Sequence, residues 1–438
     1  MPDRRTLLTG TAALAASLAC PAPGFAAAPD VVVIGAGAAG IAAAREIRAA
    51  GRSVIVLEAR GRVGGRTLTD ATLGTPFEAG AVFIHWAERN PWTQIAAELG
   101  VPTASESWRG SFRLFQNGRP MADDDRARRR AAFREVDRRL ESADLGSRDS
   151  SIAELLAGLG PGAAPIASSG LLLSIGEEAA RISAQDYQRL WAGEDRIVPS
   201  GYGNLVARYG EGLDIRLNQP VETIRWDGPG VAVTTRAGTI SARACIVTVP
   251  VGVLKAGSIR FVPELPERTG AALAGIGMGA LTKIAVALPR ARLGLDPDTS
   301  YLEAGDPGRL MNIDLFPGGG DIAIGYCGGD FARALSQAGP EAARAAVVDM
   351  LADMIGGAVR GLAGAVSFPA WWTDPFARGS YSVCLPGHAG AREALAEPIA
   401  ERIWIAGEAT AGGGAMTVGG AVLAGRAAAR ATVARIKA

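Results

Sequence analysis

The sequence contains few of the residues that build metal sites. Its 438 residues include two histidines and four cysteines, and neither a C-x-x-C nor an H-x-x-x-H pair occurs. Such pairs supply the nitrogen and sulfur ligands of most zinc sites. We therefore expect no metal centre, and we expect the scattered cysteines to be buried free thiols. They are Cys20, Cys245, Cys327 and Cys384.

Lysine is scarce as well, and charge of neither sign dominates. Of the 45 basic residues only Lys255, Lys283 and Lys437 are lysines, and 44 acidic residues balance the total. A net charge near zero gives no indication of a nucleic-acid or acidic partner. At 438 residues and 48% hydrophobic content, the chain is long enough for two units that each bury a core.

The sequence also has no hydrophobic run of membrane-spanning length, although a shorter apolar run lies near the N-terminus. Residues 7–19 are apolar, but a helix needs roughly 20 such residues to span a bilayer. The run follows an arginine pair and precedes a stretch of small residues. This pattern predicts a twin-arginine export signal over residues 1–28, cleaved after about Ala26, and a periplasmic or secreted protein without a stable membrane anchor. The alternatives are a disordered basic tail and a lipid anchor at Cys20.

The segment VVVIGAGAAGIAAAREIRAAGRSVIVLEAR, residues 31–60, predicts a nucleotide-binding unit. A short apolar strand from Val31 precedes a G-x-G-x-x-G turn, a helix to about Ala50 and a second strand that ends at Glu58. The first glycine permits a tight turn, the second lets the backbone reach a pyrophosphate, and the third lets helix and strand pack closely. Amides at the helix start face the phosphates, and the carboxylate accepts hydrogen bonds from the adenosine ribose. The glycines are Gly35, Gly37 and Gly40.

The middle of the chain predicts a helical insert followed by hairpin strands. The alternating charges of DDDRARRRAAFREVDRRLE, residues 123–141, are typical of a solvated helix face. Further amphipathic helices are expected around 152–159 and 171–182. Four segments in which apolar and polar residues alternate, and a fifth that is an apolar run, are predicted to be strands. Their ranges are 214–217, 221–225, 231–235, 239–242 and 245–249.

The segment GALTKIAVAL, residues 279–288, places a lysine inside an otherwise apolar strand pattern. A period of two puts Lys283 on one face together with Leu281, Ala285 and Ala287, and the alanines leave space beside it. An unpaired buried ammonium is costly. We therefore expect either a lowered pKa or a partner, unless the stem lies along the surface and the head reaches water.

Two later segments combine aromatic and small residues. WWTDPFARGSYS, residues 371–382, contains two adjacent tryptophans and a tyrosine. In IWIAGEATAGGGAMTVGGAVLAGRAAA, residues 403–429, a buried strand meets a Gly-Glu pair and a helix follows from about Gly419. Small residues allow a close backbone approach, and the helix start presents amides to an oxygen of a ligand.

These segments together resemble the flavin-containing amine oxidase family. ARGRVGGRTLT, FEAGAVFIHWAERNPW, RLNxxVxxI, VPxGVLKA and the two later segments carry the resemblance, which extends from Asp30 to Ala429. It implies an α/β fold, in which a Rossmann-like FAD-binding domain of discontinuous segments adjoins a mixed-sheet and helical substrate domain. The implied ranges are 29–88, 195–258 and 388–438 for FAD, and 89–194 and 259–387, with the helical insert, for the substrate.

The resemblance also implies roles at the site. FAD is held without a covalent bond, since Ser380 stands where monoamine oxidases have the flavin-bonded cysteine. Lys283 binds a water next to flavin N5, Tyr381 forms an aromatic wall, and His85 either handles the amine proton or is structural. Thr417 replaces a second tyrosine, so a complete two-ring cage is not expected. The implied catalytic residues are Lys283, Tyr381, His85 and Thr417, and the implied cofactor-binding residues are Gly35, Gly37, Ala38, Ala39, Gly40, Glu58, Ala59, Arg60, Gly64, Gly65, Arg66, Gly80, Ala81, Val82, Val221, Trp372, Gly407, Glu408, Met416, Thr417 and Val418.

The implied reaction is oxidation of the C–N bond of a small-molecule amine by hydride transfer to flavin N5. The products are an imine and, with dioxygen as oxidant, hydrogen peroxide. A bacterial exported enzyme for polyamines or secondary amines is our first expectation. The alternatives are a primary monoamine oxidase, an amine dehydrogenase that uses a cytochrome, an L-amino acid oxidase and a flavin-binding scaffold without turnover. Neither a histone nor a nucleic acid is expected as partner.

Overall fold

The computed structural model of the chain describes residues 28–105, 111–146, 148–159 and 163–437. Apart from Ala28, the predicted export signal with Cys20 lies outside the described residues. Among the described residues, no helix is both long and apolar enough to cross a bilayer.

A five-stranded parallel sheet forms the core of the nucleotide-binding half. Its central strands are continuous apolar runs because the helices Ala38–Ala49 and Val418–Lys437 help to cover the sheet. All five strands end at the same edge, which is where open parallel sheets bind ligands. In spatial order the strands are Ile215–Arg216, Val54–Leu57, Val31–Ile34, Ala244–Val247 and Ile403–Ile405. The strands predicted at these places are confirmed.

The predicted hairpin strands form a separate four-stranded sheet beside the parallel sheet. The two sheets share one apolar core, in which Ile224 and Val233 pack with residues such as Val32. The strands, in spatial order, are Gly238–Ala242, Val231–Thr235, Val221–Arg225 and Arg260–Val262.

A seven-stranded sheet dominates the other half of the molecule. Its strand Thr282–Ala287 carries Lys283 and confirms the predicted alternation, since Ile284 and Val286 face a core with the helix Pro340–Ile355. Ala285 packs on the opposite face, in a small cluster with residues such as Phe77. The strands, in spatial order, are Val366–Ser367, Thr282–Ala287, Ile322–Cys327, Met311–Leu315, Thr299–Glu303, Phe112–Gln116 and Arg119–Pro120.

The helical insert differs from its prediction in one place. The charged helix is confirmed as Asp123–Ser142, but the helix expected over 171–182 is instead Ala163–Ser174, and Ala179–Arg181 forms a separate 3-10 turn. The chain turns at Gly176, which has a φ of +65°. A β-carbon there would lie 2.8 Å from the backbone nitrogen of Leu281, so both the positive φ and the close approach of this backbone require glycine at the turn.

The remaining elements connect these units. The helices are Pro91–Glu98, Ile152–Leu156, Ala184–Arg189, Tyr202–Tyr209, Val251–Lys255, Glu267–Ala274, Gly329–Ala338 and Ala391–Ala396. The short strands are Thr69–Asp70 with Phe77–Glu78, Ile276–Met278 with Ser382–Cys384, and Phe83–Ile84 and Ala104–Ser105 on either side of Arg196–Ile197. Cys245, Cys327 and Cys384 are buried free thiols, as predicted.

Candidate active site

A cavity of about 1650 Å³ extends from the carboxyl edge of the parallel sheet to the seven-stranded sheet. Most small-molecule sites enclose roughly 300–1,000 Å³. This cavity therefore has room for a dinucleotide and a second molecule. Ile34 and Leu57, at the ends of two parallel strands, line one part, and Tyr326 and Asp314 of the seven-stranded sheet line the other.

The two predicted glycine loops meet at the first part of the cavity. Gly37 forms a bridge with Gly64, and Gly35 has a φ of +101°, a conformation that favours glycine. A β-carbon on Gly40 would lie 1.9 Å from the carbonyl oxygen of Gly35. Gly40 therefore serves helix packing and does not line the cavity, whereas Gly35, Gly37, Gly64 and Gly65 do.

Glu58 lies at the cavity wall and holds this glycine turn in place. Its side chain is 6% exposed, Oε2 accepts a hydrogen bond from Ala36 N at 2.7 Å, and Oε1 accepts one from Arg60 N at 2.8 Å. The Arg60 guanidinium in turn donates two hydrogen bonds to Asp374, at 2.8 and 2.6 Å. The carboxylate predicted to meet a ribose thus also ties together the loops around it.

The segment after the last parallel strand completes a cradle for a flavin dinucleotide. A β-carbon added to Gly407 would meet no atom within 4 Å, although this residue lines the cavity, so glycine keeps that space open. Met416 and Val418, at the start of the final helix, also line the cavity, and Met416 has a φ of +67°. Volume, glycine backbone and a helix start together fit the predicted cofactor.

Thr417, which the resemblance implies to be catalytic, lies immediately before the final helix. Thr417 lines the cavity, but its hydroxyl donates to Gly414 O at 2.8 Å and accepts from Gly420 N at 3.0 Å. These are the hydrogen bonds of a helix N-cap. The hydroxyl donates its only proton to Gly414 O and accepts from Gly420 N, and Thr417 therefore caps the final helix.

A buried network of charges adjoins the cradle, and sequence reasoning missed most of it. Glu408 accepts from Arg66 Nη1 at 3.0 Å and from Ser382 Oγ at 2.6 Å. Ser382 Oγ accepts from Arg392 at 2.6 Å, and Arg392, 1% exposed, forms two hydrogen bonds with Asp186. Burial raises the pKa of Glu408, but Arg66, Ser382 and Arg392 outweigh it and hold the pKa below its usual value.

Lys283 is held inside the cavity wall and does not reach bulk water. The side chain is 5% exposed, and Nζ donates to Glu78 O at 2.8 Å and to Gly80 O. Burial lowers the pKa of Lys283 to about 8, although the carboxylates of Glu78 and Asp314 act in the opposite direction. Both predicted consequences of burial, a partner and a lowered pKa, are confirmed, and the snorkelling alternative is wrong.

The aromatic residues of segment 371–382 divide between two places. Tyr381 lines the cavity, and its hydroxyl donates to Ser174 O at 2.7 Å; burial, followed by the Glu408 charge, raises its pKa well above the usual value, so the phenol stays neutral. Trp371 lines the cavity and donates to Ala79 O at 2.9 Å. Trp372, the tryptophan predicted to bind the cofactor, does not line the cavity.

The ring of Trp372 instead packs under another group. The Arg333 guanidinium lies 4.6 Å from its centroid, and Arg333 is itself paired with Glu177. This contact gives Trp372 a structural partner at a distance from the cradle.

His85 lines the cavity and is paired with a carboxylate. Its Nδ1 lies 2.9 Å from Asp195 Oδ1, and the side chain is 43% exposed. An Asp partner at Nδ1 fixes the ring orientation and leaves Nε2 available. Asp195 was not found from the sequence, because it is 110 positions away.

Further carboxylates line the second part of the cavity. Asp314 is 6% exposed, and its Oδ1 accepts hydrogen bonds from Ser300 Oγ and, at 2.9 Å, from Asn312 Nδ2. The polar positions of the strand MNIDL were a signal that sequence analysis left unused. Away from the predicted cofactor motifs, the carboxylates of the lining are Glu141, Asp195, Asp298 and Asp314.

The other predicted cofactor-binding residues reach the cavity as well. These are Ala38, Ala39, Ala59, Arg60, Arg66, Gly80, Ala81, Val82 and Val221. None of the described cysteines lines the cavity. Within the described ranges, no three His, Cys, Asp or Glu side chains are grouped as a metal site requires.

Comparison with known proteins identifies relatives over most of the chain. Residues 38–143 and 109–433 match the family of flavin containing amine oxidoreductases. Polyamine oxidase 4 of Oryza sativa subsp. japonica is 31% identical over 434 residues, which cover 92% of this chain and 88% of that protein. Polyamine oxidase 2 of Arabidopsis thaliana is 30% identical and covers 87% of this chain and 83% of its own length.

A more distant relative differs in length. Lysine-specific histone demethylase 1 homolog 3 of Oryza sativa subsp. japonica is 29% identical over 445 residues. The match covers 90% of this chain and 53% of that protein, so the chain spans about half of it.

Solved structures share the fold. A structure of putrescine oxidase bound to putrescine superimposes with a TM-score of 0.76 at 22% identity, over 93% of this chain and 99% of that one. A double mutant of putrescine oxidase gives the same score at 21% identity. The predicted fold class is thereby confirmed.

Proposed function

Because the chain belongs to the flavin-containing amine oxidoreductases, we propose that it oxidises polyamines or other amines with a second cationic group. The protein is an FAD-dependent amine oxidase. We propose that its FAD is held without a covalent bond, since none of the described cysteines lines the cavity. The proposal concerns the amine and the oxidant, for which we take dioxygen, with hydrogen peroxide as second product. We also propose that the protein is exported through the twin-arginine pathway to the periplasm or beyond.

The observation that carries the proposed substrate is the charge of the cavity lining. Four carboxylates lie outside the cofactor cradle, and Asp314 is the most deeply buried of them. In the described part of the chain, the arginines of the lining are Arg60 and Arg66, each paired with a carboxylate of its own. An amino acid substrate requires a free cation for its carboxylate. Lys283 also lines the cavity, but it is buried and donates to the carbonyl oxygens of Glu78 and Gly80. Because carboxylates outnumber the cations of the lining, the cavity suits a cationic amine better than an amino acid, and it favours a polyamine.

The residues divide the work of the reaction. Asp314, held rigid by Ser300 and Asn312, pairs with the distal ammonium and thereby places the reacting carbon. The nitrogen that reacts must be neutral, and His85, oriented by Asp195, accepts its proton through Nε2.

Other residues shape the place of reaction. Tyr381 supplies an apolar wall with a π-face for the neutral nitrogen. Lys283 holds the Glu78–Gly80 backbone and keeps a cation at the cavity wall below about pH 8. The chemistry that FAD supplies when bound is the two-electron oxidation of the C–N bond.

Anaerobic reduction of the bound FAD by a panel of amines tests the proposal. Spermidine and putrescine should bleach the flavin at lower concentrations than butylamine, and amino acids should not. Asp314→Asn should raise the apparent Kd of putrescine by about 30-fold or more, because the distal ammonium loses its buried partner, and should leave butylamine almost unchanged. Asp349→Asn, at an exposed carboxylate that pairs with Arg360, is the matched control.

Three results would contradict parts of the proposal. Equal loss for both amines in Asp314→Asn would favour a primary monoamine oxidase. Turnover without peroxide under air would favour a dehydrogenase with another acceptor. If the wild type stays in the cytoplasm, just as the variant with lysine in place of Arg4 and Arg5 does, the proposal of export is wrong.

A further inference from the structure

Trp191 is a large aromatic residue that the helical insert contributes to the cavity. It follows the helix Ala184–Arg189 and lines the cavity. It remains 39% exposed, although tryptophan side chains are usually well covered. Exposed apolar surface inside a binding cavity is surface that a ligand covers.

The indole of Trp191 is fixed from several sides. Its backbone nitrogen donates to Gly413 O at 2.7 Å. The ring meets Trp86 edge-to-face, with centroids 5.1 Å apart, and the Arg89 guanidinium lies 4.8 Å from its centroid. These contacts hold a rigid aromatic surface in one orientation before any ligand binds.

The indole packs against the triple glycine of the C-terminal segment, residues 412–414. A β-carbon on Gly413 would lie 2.2 Å from Trp191 Nε1, and one on Gly414 would lie 3.2 Å from Cζ3. The carbonyl oxygen of Gly414 also accepts the Thr417 hydroxyl. The ring therefore lies beside the helix cap at which the sequence provides no second tyrosine.

We propose that Trp191 is a specificity-determining residue, whose indole forms the second aromatic wall of the substrate site and contacts the alkyl chain of the amine. This inference rests on the proposed function, since it assumes an amine with an extended apolar chain. Each methylene group that moves from water onto such a wall tightens binding by up to about four-fold. Trp191 acts on affinity and chain-length preference, and not on the proton or hydride that moves.

The test compares linear alkylamines from propylamine to hexylamine. Apparent Kd values come from the saturation of anaerobic flavin reduction, or from the flavin absorbance change where an amine binds without reduction. In the wild type, Kd should fall with each added methylene. Trp191→Ala should flatten this slope and weaken hexylamine binding by about ten-fold or more, and Trp191→Phe should keep part of it. Trp226→Ala, at a tryptophan outside the cavity lining, is the control.

The outcomes separate this inference from the proposed function. If no amine bleaches the wild-type flavin, the proposed function fails. If amines bleach it and Trp191→Ala keeps the wild-type slope, the inference about Trp191 is overturned. A uniform weakening for all chain lengths also overturns it, because that result indicates a structural role. FAD content and absorbance of each variant, measured first, should equal those of the wild type.

Discussion

The cofactor cradle and the substrate part of the cavity are built in different ways. The cradle consists largely of backbone, at Gly35, Gly37, Gly64 and Gly407, where the absence of a side chain is the functional property. The substrate part, where we propose that the amine binds, consists of side chains of the seven-stranded sheet and the helical insert, such as Asp314 and Trp191. A substitution in the cradle therefore acts mainly through steric exclusion, and one in the substrate part mainly through charge and contact.

The cradle and the substrate part adjoin, and a buried ion pair, which we call the junction, lies where they meet. Arg392 and Asp186 join the C-terminal cofactor segment to the helix from which Trp191 extends. This ion pair fixes the position of the helix Ala184–Arg189 relative to the C-terminal segment.

Breaking the junction should have the largest effect on stability. Arg392→Met leaves the buried Asp186 carboxylate without its cationic partner and should lower the free energy of unfolding by about 3–5 kcal/mol. The double variant Arg392→Met with Asp186→Leu should lose less free energy of unfolding than either single variant. Urea denaturation measures both effects. Arg360→Met, at a pair about half exposed, is the control and should cost less than about 1 kcal/mol.

Lys283 should give the wild type a pH dependence of stability that Lys283→Met lacks. Its pKa is about 8 in the folded protein against 10.5 for an ordinary lysine, so between these values the unfolded chain binds the proton that the folded protein has lost. Stability of the wild type relative to Lys283→Met should therefore rise by about 3 kcal/mol as the pH rises from about 8 to 10.5. Parallel stability curves would show that the pKa of Lys283 is not lowered in the folded protein. The variant should keep FAD and slow flavin reduction, reoxidation or both.

Gly40→Ala tests the steric character of the cradle. Its β-carbon would collide with the carbonyl oxygen of Gly35, so we expect a loss of about 1–3 kcal/mol and weaker FAD retention. Gly270→Ala is the matched control, since that glycine lies in the helix Glu267–Ala274 with no atom near its missing β-carbon. The control should be stabilised by about 0.5–1 kcal/mol. Thermal unfolding and FAD content distinguish the two.

The smallest effect on stability is expected at the partly exposed pair of His85 and Asp195. Asp195→Asn should change the free energy of unfolding by less than about 1 kcal/mol. It should nevertheless alter the pH dependence of kcat/KM, because His85 loses the group that orients it. Glu194→Gln, one position earlier, should leave that pH profile unchanged. A wild-type profile in Asp195→Asn would show that His85 is structural.

Sequence reasoning succeeded where a function depends on consecutive backbone. The strand, glycine turn and helix of residues 31–49 lie where their pattern predicts, as does the strand that carries Lys283. It did not decide between the adjacent Trp371 and Trp372, since nothing in the segment tells which ring lies at the cavity; the structure places Trp371 there. It also missed Asp186, which meets Arg392 only because the fold brings together residues 206 positions apart.

Glycine conformation, helix starts and strand alternation are local properties of the chain. The parallel sheet, the cofactor cradle and a buried lysine could therefore be predicted from the sequence alone. The pairing of the charged side chains, by contrast, depends on the tertiary structure. The fold paired Arg66 with Glu408 and Arg392 with Asp186, and it placed the backbone nitrogen of Trp191 at the carbonyl oxygen of Gly413. The physical reason is that hydrogen bonds and ring contacts depend on distances in space, and a linear pattern carries those distances only within a few residues.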